Sequence, residues 1–347
     1  MKHQTNDQIL IHAVKKHYGQ NIQKLARTSL GSAQCYIANT KNGDIFLKIY
    51  QEKHDLEQIS KEIRICDHLR AKGMQVSEYV KNLNGDFISA EEFGLFTIQK
   101  FISGITYEKF QVPGPVLAHS AEILGNIHLH LADISGLNQD FTPEWIEEMA
   151  DLDRHAKKIE TLISLAETLP SHDEKDKILS DCKWKLQAME DLPKRKDHFA
   201  GLTRKNSHGD YNTYQWICKG DIITAVIDFG SCSNLPVIWE LIRSYTYGGK
   251  ECKDGADIDV NLYCEYLRYY LKVNELNKDD LGRGFDFYYY SLAMSLFGYR
   301  QYIEDYQKGT YNKLIEFALW RTQISRYLST HSQKLDEQVQ KTLTNLR

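Results

Sequence analysis

Apolar residues in the first quarter of the chain recur with the period of a helix in two places. Residues 5–17 and 55–72 place apolar side chains three or four positions apart, which predicts two helices with one apolar face each. Gly19 and Gly73 follow these segments, and glycine is common directly after a helix because it adopts the left-handed conformation readily. The two segments are therefore predicted helices with defined ends.

Short apolar runs around these helices predict β-strands instead. Two such runs flank Asn42 and Gly43, and an Asn-Gly pair between apolar runs favours a hairpin because both residues tolerate positive φ. A second Asn-Gly pair at residues 84–85 predicts another hairpin, and residues 96–102 predict a further strand. Residues 1–101 are therefore predicted to form a small β-rich lobe. The helix at residues 5–17 precedes its strands, and the helix at residues 55–72 lies between them.

Helical periodicity dominates after residue 104, with one interruption by strands. The predicted helices cover residues 116–131, two segments within 143–196 that break near 169–171, and the chain from residue 236 onward, with breaks near 248–249 and 282–284. The interruption consists of two predicted strands, residues 216–218 and 222–227, which a tight turn joins. Residues 102–347 are therefore predicted to form a larger helical lobe, which makes the chain an α+β protein of two lobes.

Composition is that of an ordinary globular protein of the cytoplasm. The 347 residues are 42% hydrophobic and 26% charged, with a formal net charge of −4. Proteins that bind nucleic acids usually carry clustered excess basic charge instead. No stretch approaches the length of an apolar membrane span, and the N-terminus has no apolar signal core. Seven scattered cysteines without a C-x-x-C pair are typical of free thiols in a reducing compartment. We therefore expect a cytoplasmic protein with no nucleic-acid or membrane partner.

Two polar segments in the second lobe carry the most informative chemistry. Asp210 lies in a polar turn, Gln215 directly precedes the first strand of the hairpin, and Asp228 follows its second strand. Because a tight hairpin brings the outer ends of its strands side by side, we expect the three side chains to converge. Carboxylate and amide oxygens are hard ligands suited to Mg²⁺, which keeps several waters and bridges substrate phosphates. Phosphoryl transfer needs such a metal and a carboxylate that receives the proton of the attacking hydroxyl.

These segments resemble the loops of a known family. The tripeptide at residues 208–210, His-Gly-Asp, together with Asp228 and the Phe-Gly that follows it, resembles the catalytic and metal loops of the aminoglycoside phosphotransferase and choline kinase-like family, distant relatives of the protein kinases. The resemblance implies a two-lobed protein-kinase-like fold, in which Asp210 is the catalytic base and Asp228 binds Mg²⁺.

One position departs from the family pattern. The family usually has Asn five positions after the catalytic Asp, whereas this chain has Gln215. Gln keeps the amide oxygen but is one methylene longer, so the geometry of a metal site must adjust. Gln215 is the predicted second metal ligand, and Asn212 is the alternative.

Lys48 is the predicted phosphate contact of the N-terminal lobe. It lies in the middle of an apolar strand, where a charge is costly unless it is paired. The resemblance implies that Lys48 holds the α- and β-phosphates while it pairs with a helix carboxylate. Glu62 is the preferred partner because it adjoins the apolar residues Ile59 and Ile63, and Glu57 is the alternative.

Further nucleotide contacts follow from the positions of two segments. Ser32 lies in a turn before Lys48 that is expected to cover the phosphates, although this turn has a single glycine. Residues 99–104 resemble the family's hinge between the lobes, where backbone groups near Lys100 and Ile102 are expected to bind the adenine edge. The implied co-substrate is ATP or GTP with Mg²⁺.

The predicted reaction is transfer of the γ-phosphate to a hydroxyl group of a small molecule. The acceptor is an antibiotic of the aminoglycoside type or a metabolite such as homoserine, choline or a sugar, and the residues do not decide between these classes. Asp286, Glu304 and Asp305 are candidates to hold a cationic amine, although each is also typical of a solvated helix face. The alternative function is a nucleotide-binding pseudokinase or scaffold, which the departure at Gln215 and the sparse glycine turn favour.

Overall fold

The computed structural model describes residues 6–28, 34–50, 55–134, 151–192 and 199–344. The strands are β1 (Ile22–Arg27), β2 (Gln34–Thr40), β3 (Gly43–Ile49), β4 (Tyr79–Val80), β5 (Ser89–Glu91), β6 (Gly94–Lys100), β7 (Arg204–Ser207), β8 (Trp216–Lys219), β9 (Ile222–Val226) and β10 (Ser233–Pro236). The helices are α1 (Asp7–Tyr18), α2 (Leu56–Ala71), α3 (Gly114–His130), α4 (Leu152–Glu167), α5 (Asp173–Ala188), α6 (Val237–Gly248), α7 (Val260–Tyr270), α8 (Lys278–Ala293), α9 (Tyr299–Tyr306) and α10 (Leu314–Thr344). Strands therefore predominate early in the chain and helices later.

The chain divides into two compact units that a single cut in the sequence does not separate. The first unit contains residues 1–106 together with residues 214–232, and the second contains residues 107–213 together with residues 233–347. The β8–β9 hairpin therefore packs with the first unit, although it lies between helices of the second in the sequence. The boundary of the functional lobes between residues 101 and 102 stays a prediction.

An antiparallel sheet forms the body of the first unit. Its strands lie in the order β1-β2-β3-β6-β4, and β5 pairs with β6 outside this order. Strands β2 and β3 form the predicted hairpin, in which Gly43 adopts a φ of 108°. Leu47 of β3 and Phe96 of β6 are fully buried in the core, together with Leu10 of α1. Because side chains alternate along a strand, Lys48 faces the side of the sheet opposite to Leu47.

Helix α2 carries a charged residue on its buried face. The helix begins after the cap residue Asp55, whose side chain accepts a hydrogen bond from the backbone N–H of Gln58. Ile59 and Ile63 are buried, and Glu62 on the same helix is only 3% exposed. A buried carboxylate requires a cation or several hydrogen-bond donors. The element that packs against this face of α2 must therefore supply a cation or hydrogen-bond donors to Glu62.

Packed helices form most of the second unit. Helix α10 packs along α8, α8 packs on α6, and α3 packs on α7. The short strands β7 and β10 pair in antiparallel register, with Ser207 opposite Ser233. This pairing holds the segment that leads into the loop at residues 208–212.

The second predicted hairpin, at residues 84–85, is wrong. Asn82 Oδ1 accepts hydrogen bonds from the backbone N–H groups of Asn84 and Asp86, so a tight turn is present. However, β4 and β5 on its two sides both pair with β6 rather than with each other. An Asn-Gly pair specifies a turn locally, whereas packing decides which strand each neighbour joins.

The helix break predicted near residues 282–284 is also wrong, whereas the break near 248–249 is confirmed by the end of α6. Gly282 and Gly284 both lie inside α8. A Cβ atom at Gly284 would lie 2.4 Å from Cγ1 of Ile238 on α6, closer than real side chains approach. Gly284 therefore permits the close approach of two helices and does not end one.

The cysteine side chains all lie in the interior of the protein. All seven cysteines are buried free thiols. Burial raises the pKa of Cys35, Cys218 and Cys264 to about 11, which keeps these thiols protonated at neutral pH. In the described ranges, no helix combines the length and apolar content needed to cross a membrane.

We expect Gly284→Ala to lower the free energy of unfolding by about 1–3 kcal/mol, because the added methyl group overlaps Ile238. Gly282→Ala is the matched control in the same helix. Its methyl group meets only the end of the Gln340 side chain, at 3.4 Å, and alanine is a better helix former than glycine by about 1 kcal/mol. Thermal unfolding compares the two variants. A Gly284→Ala protein as stable as the wild type would show that α8 does not need this close approach.

Candidate active site

Lys48 lies between two carboxylates in the first unit. Its Nζ atom is 3.0 Å from Glu62 Oε1, 3.2 Å from Glu62 Oε2 and 2.8 Å from Asp228 Oδ1. These residues belong to β3, α2 and the segment after β9, so one ammonium group joins three elements. Glu57, the alternative partner of Lys48, is exposed at the start of α2.

The surroundings of Lys48 keep it charged. Burial by itself lowers the pKa of a lysine, but the carboxylates of Glu62 and Asp228 outweigh burial and raise the pKa of Lys48 well above its usual value. Tyr50 supports the group, because its hydroxyl donates to Glu62 Oε2 at 3.4 Å and its ring centroid lies 5.1 Å from Lys48 Nζ. Lys48 is thus a cation in a fixed orientation, which suits a contact with phosphate oxygens.

Asp228 adopts a backbone conformation that few residues other than glycine tolerate. Its φ of 66° lies in the left-handed region, where Asp and Asn are more frequent than other side chains. The side chain is 50% exposed even though Oδ1 is bonded to Lys48. The carboxylate therefore faces both the lysine and solvent. Conformations of this kind persist where the surrounding structure holds them, and they are frequent at functional sites.

Gln215 and Asp228 lie at neighbouring ends of one hairpin. Strands β8 and β9 pair with Trp216 opposite Val226, and the carbonyl of Gln215 accepts a hydrogen bond from the N–H of Ile227 at 3.0 Å. Within the described ranges, no group of three or more His, Cys, Asp or Glu side chains could hold a metal ion by itself. A carboxylate with an amide oxygen nevertheless fits Mg²⁺, which binds one or two protein carboxylates and completes its shell with water and phosphate oxygens.

Three other residues were predicted to contact the nucleotide. Ser32 lies outside the described residues. Lys100 ends β6, and its backbone N–H donates to the carbonyl of Glu78 at 2.8 Å while its ammonium group pairs with the carboxylate of the same residue. Ile102 follows the strand and is half-buried. An adenine contact through the N–H of Lys100 would therefore have to replace an existing hydrogen bond.

In the second unit, Asp210 is held by a cation and an amide. Arg243 of α6 donates to Asp210 Oδ1 and, at 3.3 Å, to the carbonyl of Tyr211. The Nδ2 atom of Asn212, the alternative metal ligand, donates to the carbonyl of Asp210 at 2.8 Å and to Oδ1 at 3.2 Å. The Asp210 side chain is still 38% exposed. Asp210 is thus both oriented and accessible, as a proton acceptor must be.

Glu240 of α6 binds the same loop at two points. Its Oε1 atom accepts a hydrogen bond from the N–H of Tyr211 at 3.1 Å, and Oε2 accepts one from the hydroxyl of Ser207. Ser207 Oγ also lies 2.5 Å from His128 Nε2, and His128 Nδ1 lies 2.9 Å from the hydroxyl of Tyr270. The network therefore fixes the loop on both sides of Asp210 without contact to its carboxylate.

Glu240 is ionised although it is completely buried. Burial raises the pKa of a carboxylic acid. The interactions with His128, whose Nε2 lies 3.8 Å from Oε2, with His208 and with the Ser207 hydroxyl outweigh burial and lower the pKa of Glu240 to about 2. No motif in the sequence reveals this residue. One signal does exist, because Glu240 is the only charged residue in the apolar run at residues 235–242, and a charge in such a run needs a partner.

The three carboxylates considered for a cationic acceptor are engaged with side chains of their own surroundings. The pairs are Asp286 with Ser332, Glu304 with Arg300, and Asp305 with Asn312. Asp286 is also buried, at 8% exposure. These contacts give the carboxylates local structural roles.

Comparison with known proteins identifies both a family and a fold. The chain matches the model of the phosphotransferase enzyme family over residues 27–276. Among solved structures it is similar to a microcompartment-associated aminopropanol kinase, with a TM-score of 0.67 and 15% identity over 95% of this chain and 100% of the other. No curated protein matches the chain in sequence.

Two further solved structures, of a phosphotransferase and a kinase, are similar to the chain over most of its length. Spectinomycin phosphotransferase APH(9)-Ia, solved with ADP and spectinomycin, has a TM-score of 0.62 and 14% identity, over 95% of this chain and 99% of the other. Amicoumacin kinase hAmiN, solved with AMP-PNP, Ca²⁺ and Ami, has a TM-score of 0.61 and 16% identity, over 92% of this chain and 93% of the other. The predicted two-lobed, protein-kinase-like α+β fold is confirmed by this likeness.

Replacing Glu240 by Gln keeps its size but removes the charge that Ser207 and Tyr211 bind. We expect the free energy of unfolding to fall by about 1–3 kcal/mol at neutral pH, because buried hydrogen bonds to a charged acceptor are lost. The pKa of Glu240 is about 2 in the folded protein and about 4.3 in unfolded chains, so its contribution is complete above pH ~4.3 and is lost as the pH falls toward ~2.

Denaturant unfolding of wild type and Glu240→Gln as a function of pH measures this effect. The difference between the two proteins should shrink below pH ~4.3. Glu265→Gln, an exposed change on α7, should have the same free energy of unfolding as the wild type at every pH. A wild-type advantage that stays constant down to pH ~3 would contradict an ionised Glu240.

Proposed function

Because the chain belongs to the phosphotransferase enzyme family, we propose that it transfers the γ-phosphate of ATP or GTP to a hydroxyl group of a small molecule in a Mg²⁺-dependent reaction. The chain is a small-molecule kinase by family. The observation that best supports the proposed site is the contact of Lys48 with Glu62 and Asp228 at 2.8–3.2 Å.

In the first unit, Lys48 binds the oxygens of the α- and β-phosphates, and Glu62 keeps the ammonium group in position. Asp228 and Gln215 would hold Mg²⁺, which when bound neutralises part of the phosphate charge. Ser32 and the backbone near Lys100 and Ile102 supply further contacts with the nucleotide. The strongly raised pKa of Lys48 keeps this positive charge in place over the whole physiological pH range.

In the second unit, Asp210 accepts the proton of the acceptor hydroxyl as its oxygen attacks the γ-phosphorus. The bond between that phosphorus and the bridging oxygen breaks, and the nucleoside diphosphate leaves with the electron pair. Arg243 and Asn212 orient the carboxylate of Asp210 through the hydrogen bonds described above. Glu240 is a positioning residue, because it holds the backbone on both sides of the base.

Turnover is favoured over the alternative of a pseudokinase. Phosphoryl transfer requires a phosphate-binding lysine, a metal-binding carboxylate and a base, and this chain has Lys48, Asp228 and Asp210 in these roles. Gln215 changes the length of one metal ligand and keeps its oxygen. A scaffold that only binds nucleotide would not need the base.

Asp210→Asn should reduce phosphoryl transfer by about 10²–10⁴-fold, because the amide cannot accept the hydroxyl proton. Nucleotide affinity should stay unchanged. The measurement is release of ADP or GDP with Mg²⁺ and a panel of aminoglycosides, homoserine, choline and sugars, combined with nucleotide binding. Asp221→Asn, an exposed change in the β8–β9 turn, is the control. Normal turnover by Asp210→Asn would exclude Asp210 as the base, and nucleotide binding without turnover in the wild type would favour the pseudokinase.

Asp228→Asn should weaken the dependence of nucleotide binding on Mg²⁺, because Asn tolerates the same left-handed backbone but lacks the negative charge. We expect the Mg²⁺ concentration for half-maximal ATP binding to rise about 10-fold or more, which equals about 1.4 kcal/mol. Calorimetric titration of ATP at several Mg²⁺ concentrations measures it, again with Asp221→Asn as control. An unchanged Mg²⁺ requirement would remove Asp228 from the metal site.

A further inference from the structure

The second unit contains a cavity that bears on the chemical class of the acceptor. Its volume is about 580 Å³, which is within the range of pockets that hold small organic ligands. Helix α4, the C-terminal end of α8, the segment that leads into α9, and α10 supply most of its lining. All of these elements belong to the second unit, which also contains Asp210.

The walls of this cavity combine apolar side chains with cations. The apolar part includes Leu162, Leu165, Met294 and Phe297. The lining cations are Lys158, Arg300 and Arg321, and none of the described lining residues is an aspartate or glutamate. Such walls suit a ligand with an apolar body and an anionic group.

Arg321 is the cation in this cavity that is best placed to receive an anion. Arg300 already pairs with Glu304 at 3.3 Å and is largely exposed. In contrast, the Nε atom of Arg321 is buried and has no hydrogen-bond partner among the described residues. Its guanidinium group lies near the rings of Phe297 and Phe317 and pairs with no carboxylate of the described residues, so an anion in the cavity would be its ion-pair partner.

Trp239 connects the cavity with the loop of the proposed base. Its ring is part of the cavity wall, and the guanidinium group of Arg243 lies 5.6 Å from the centre of that ring. Arg243 in turn donates to Asp210. Contacts of one tryptophan and one arginine side chain therefore link the cavity wall to the carboxylate of Asp210.

A second series of contacts extends the positive charge between the cavity and Asp210. Lys109 Nζ lies 4.1 Å from the ring centre of Phe317, and the guanidinium of Arg321 lies 5.9 Å from the same ring. Burial, followed by the neighbouring charges of Arg243 and Arg321, lowers the pKa of Lys109 to about 8. These three cations interact with one another, and the carboxylates of Asp210 and Glu108 compensate part of the charge near Lys109.

We propose that the acceptor is a hydroxylated acid, whose carboxylate binds Arg321 and whose apolar body fills the cavity. The inference rests on the proposed function for the reaction at the hydroxyl group. Lys109 and Arg243 add to the positive potential that attracts the carboxylate. A polycationic acceptor would meet the like charges of Lys158 and Arg321 in the cavity wall, where none of the described lining residues is an aspartate or glutamate.

Three probes that differ in one polar group test the charge preference. They are 3-phenyllactate, 3-phenylpropane-1,2-diol and phenylalaninol, which share a benzyl group and a hydroxyl and carry an anionic, a neutral and a cationic group. Calorimetry with the full chain, Mg²⁺ and a non-hydrolysable ATP analogue measures their affinities. We expect the acid to bind about 10-fold more tightly than the diol, and phenylalaninol to bind most weakly.

Variants test whether Arg321 is the residue that causes the preference for the acid. Arg321→Gln should abolish the preference for the acid and leave the affinity for the diol unchanged, and Arg321→Lys should restore part of it. Arg283→Gln removes one positive charge from α8 at a residue that pairs with Asp279 and does not line the cavity, so it should behave as the wild type. This control separates a local contact from a general effect of net charge.

Several results would overturn the proposal. They are equal or tighter binding of phenylalaninol, an acid preference that survives Arg321→Gln, and no measurable binding of the acid. Because the assay measures binding and not transfer, its failure differs from failure of the proposed function. The latter would appear as an absence of ADP release when ATP replaces the analogue in the same samples.

Discussion

Lys48 brings a positive charge into the nearly buried middle of an apolar strand, and several elements are arranged to neutralise it. Removing an ion from water costs several kcal/mol unless partners replace the lost hydration. Glu62 supplies one partner from α2, and Asp228 supplies the other from the end of the β8–β9 hairpin. This requirement gives a physical reason for a late hairpin to pack with an early sheet. It also leaves the ammonium group of Lys48 and the half-exposed carboxylate of Asp228 side by side.

The second unit uses a buried ion of the opposite sign in a similar way. Glu240 is completely buried, and its oxygens accept hydrogen bonds from both sides of the loop that carries Asp210. Arg243, one helical turn further along α6, binds the carboxylate of Asp210 itself. Phosphoryl transfer requires little covalent chemistry from a protein and depends mainly on positioning and electrostatics. In this small-molecule kinase, two buried ions each hold a different segment in position.

Much of this arrangement could be predicted from the sequence, and the exceptions have physical causes. Lys48 and Glu62 were visible because each interrupts an apolar pattern of known period. Glu240 interrupts such a pattern too, but its partners are a backbone N–H and a serine hydroxyl, which no motif marks. The pairing of Arg243 with Asp210 depends on how α6 lies against the loop, which periodicity does not specify. The sequence predicts a helix break at Gly284 because a glycine that allows two helices to approach cannot be distinguished in the sequence from one that ends a helix.

The separation of Lys48 from its partners along the chain has a consequence for the order in which the protein is made. Glu62 follows Lys48 by 14 residues, whereas Asp228 follows it by 180. A ribosome adds about 5–20 residues per second, so the second carboxylate is synthesised about 9–36 s after the lysine. During this interval Glu62 alone compensates the ammonium group, and the first unit lacks its β8–β9 hairpin. The first unit is therefore completed only after about two thirds of the chain has been synthesised.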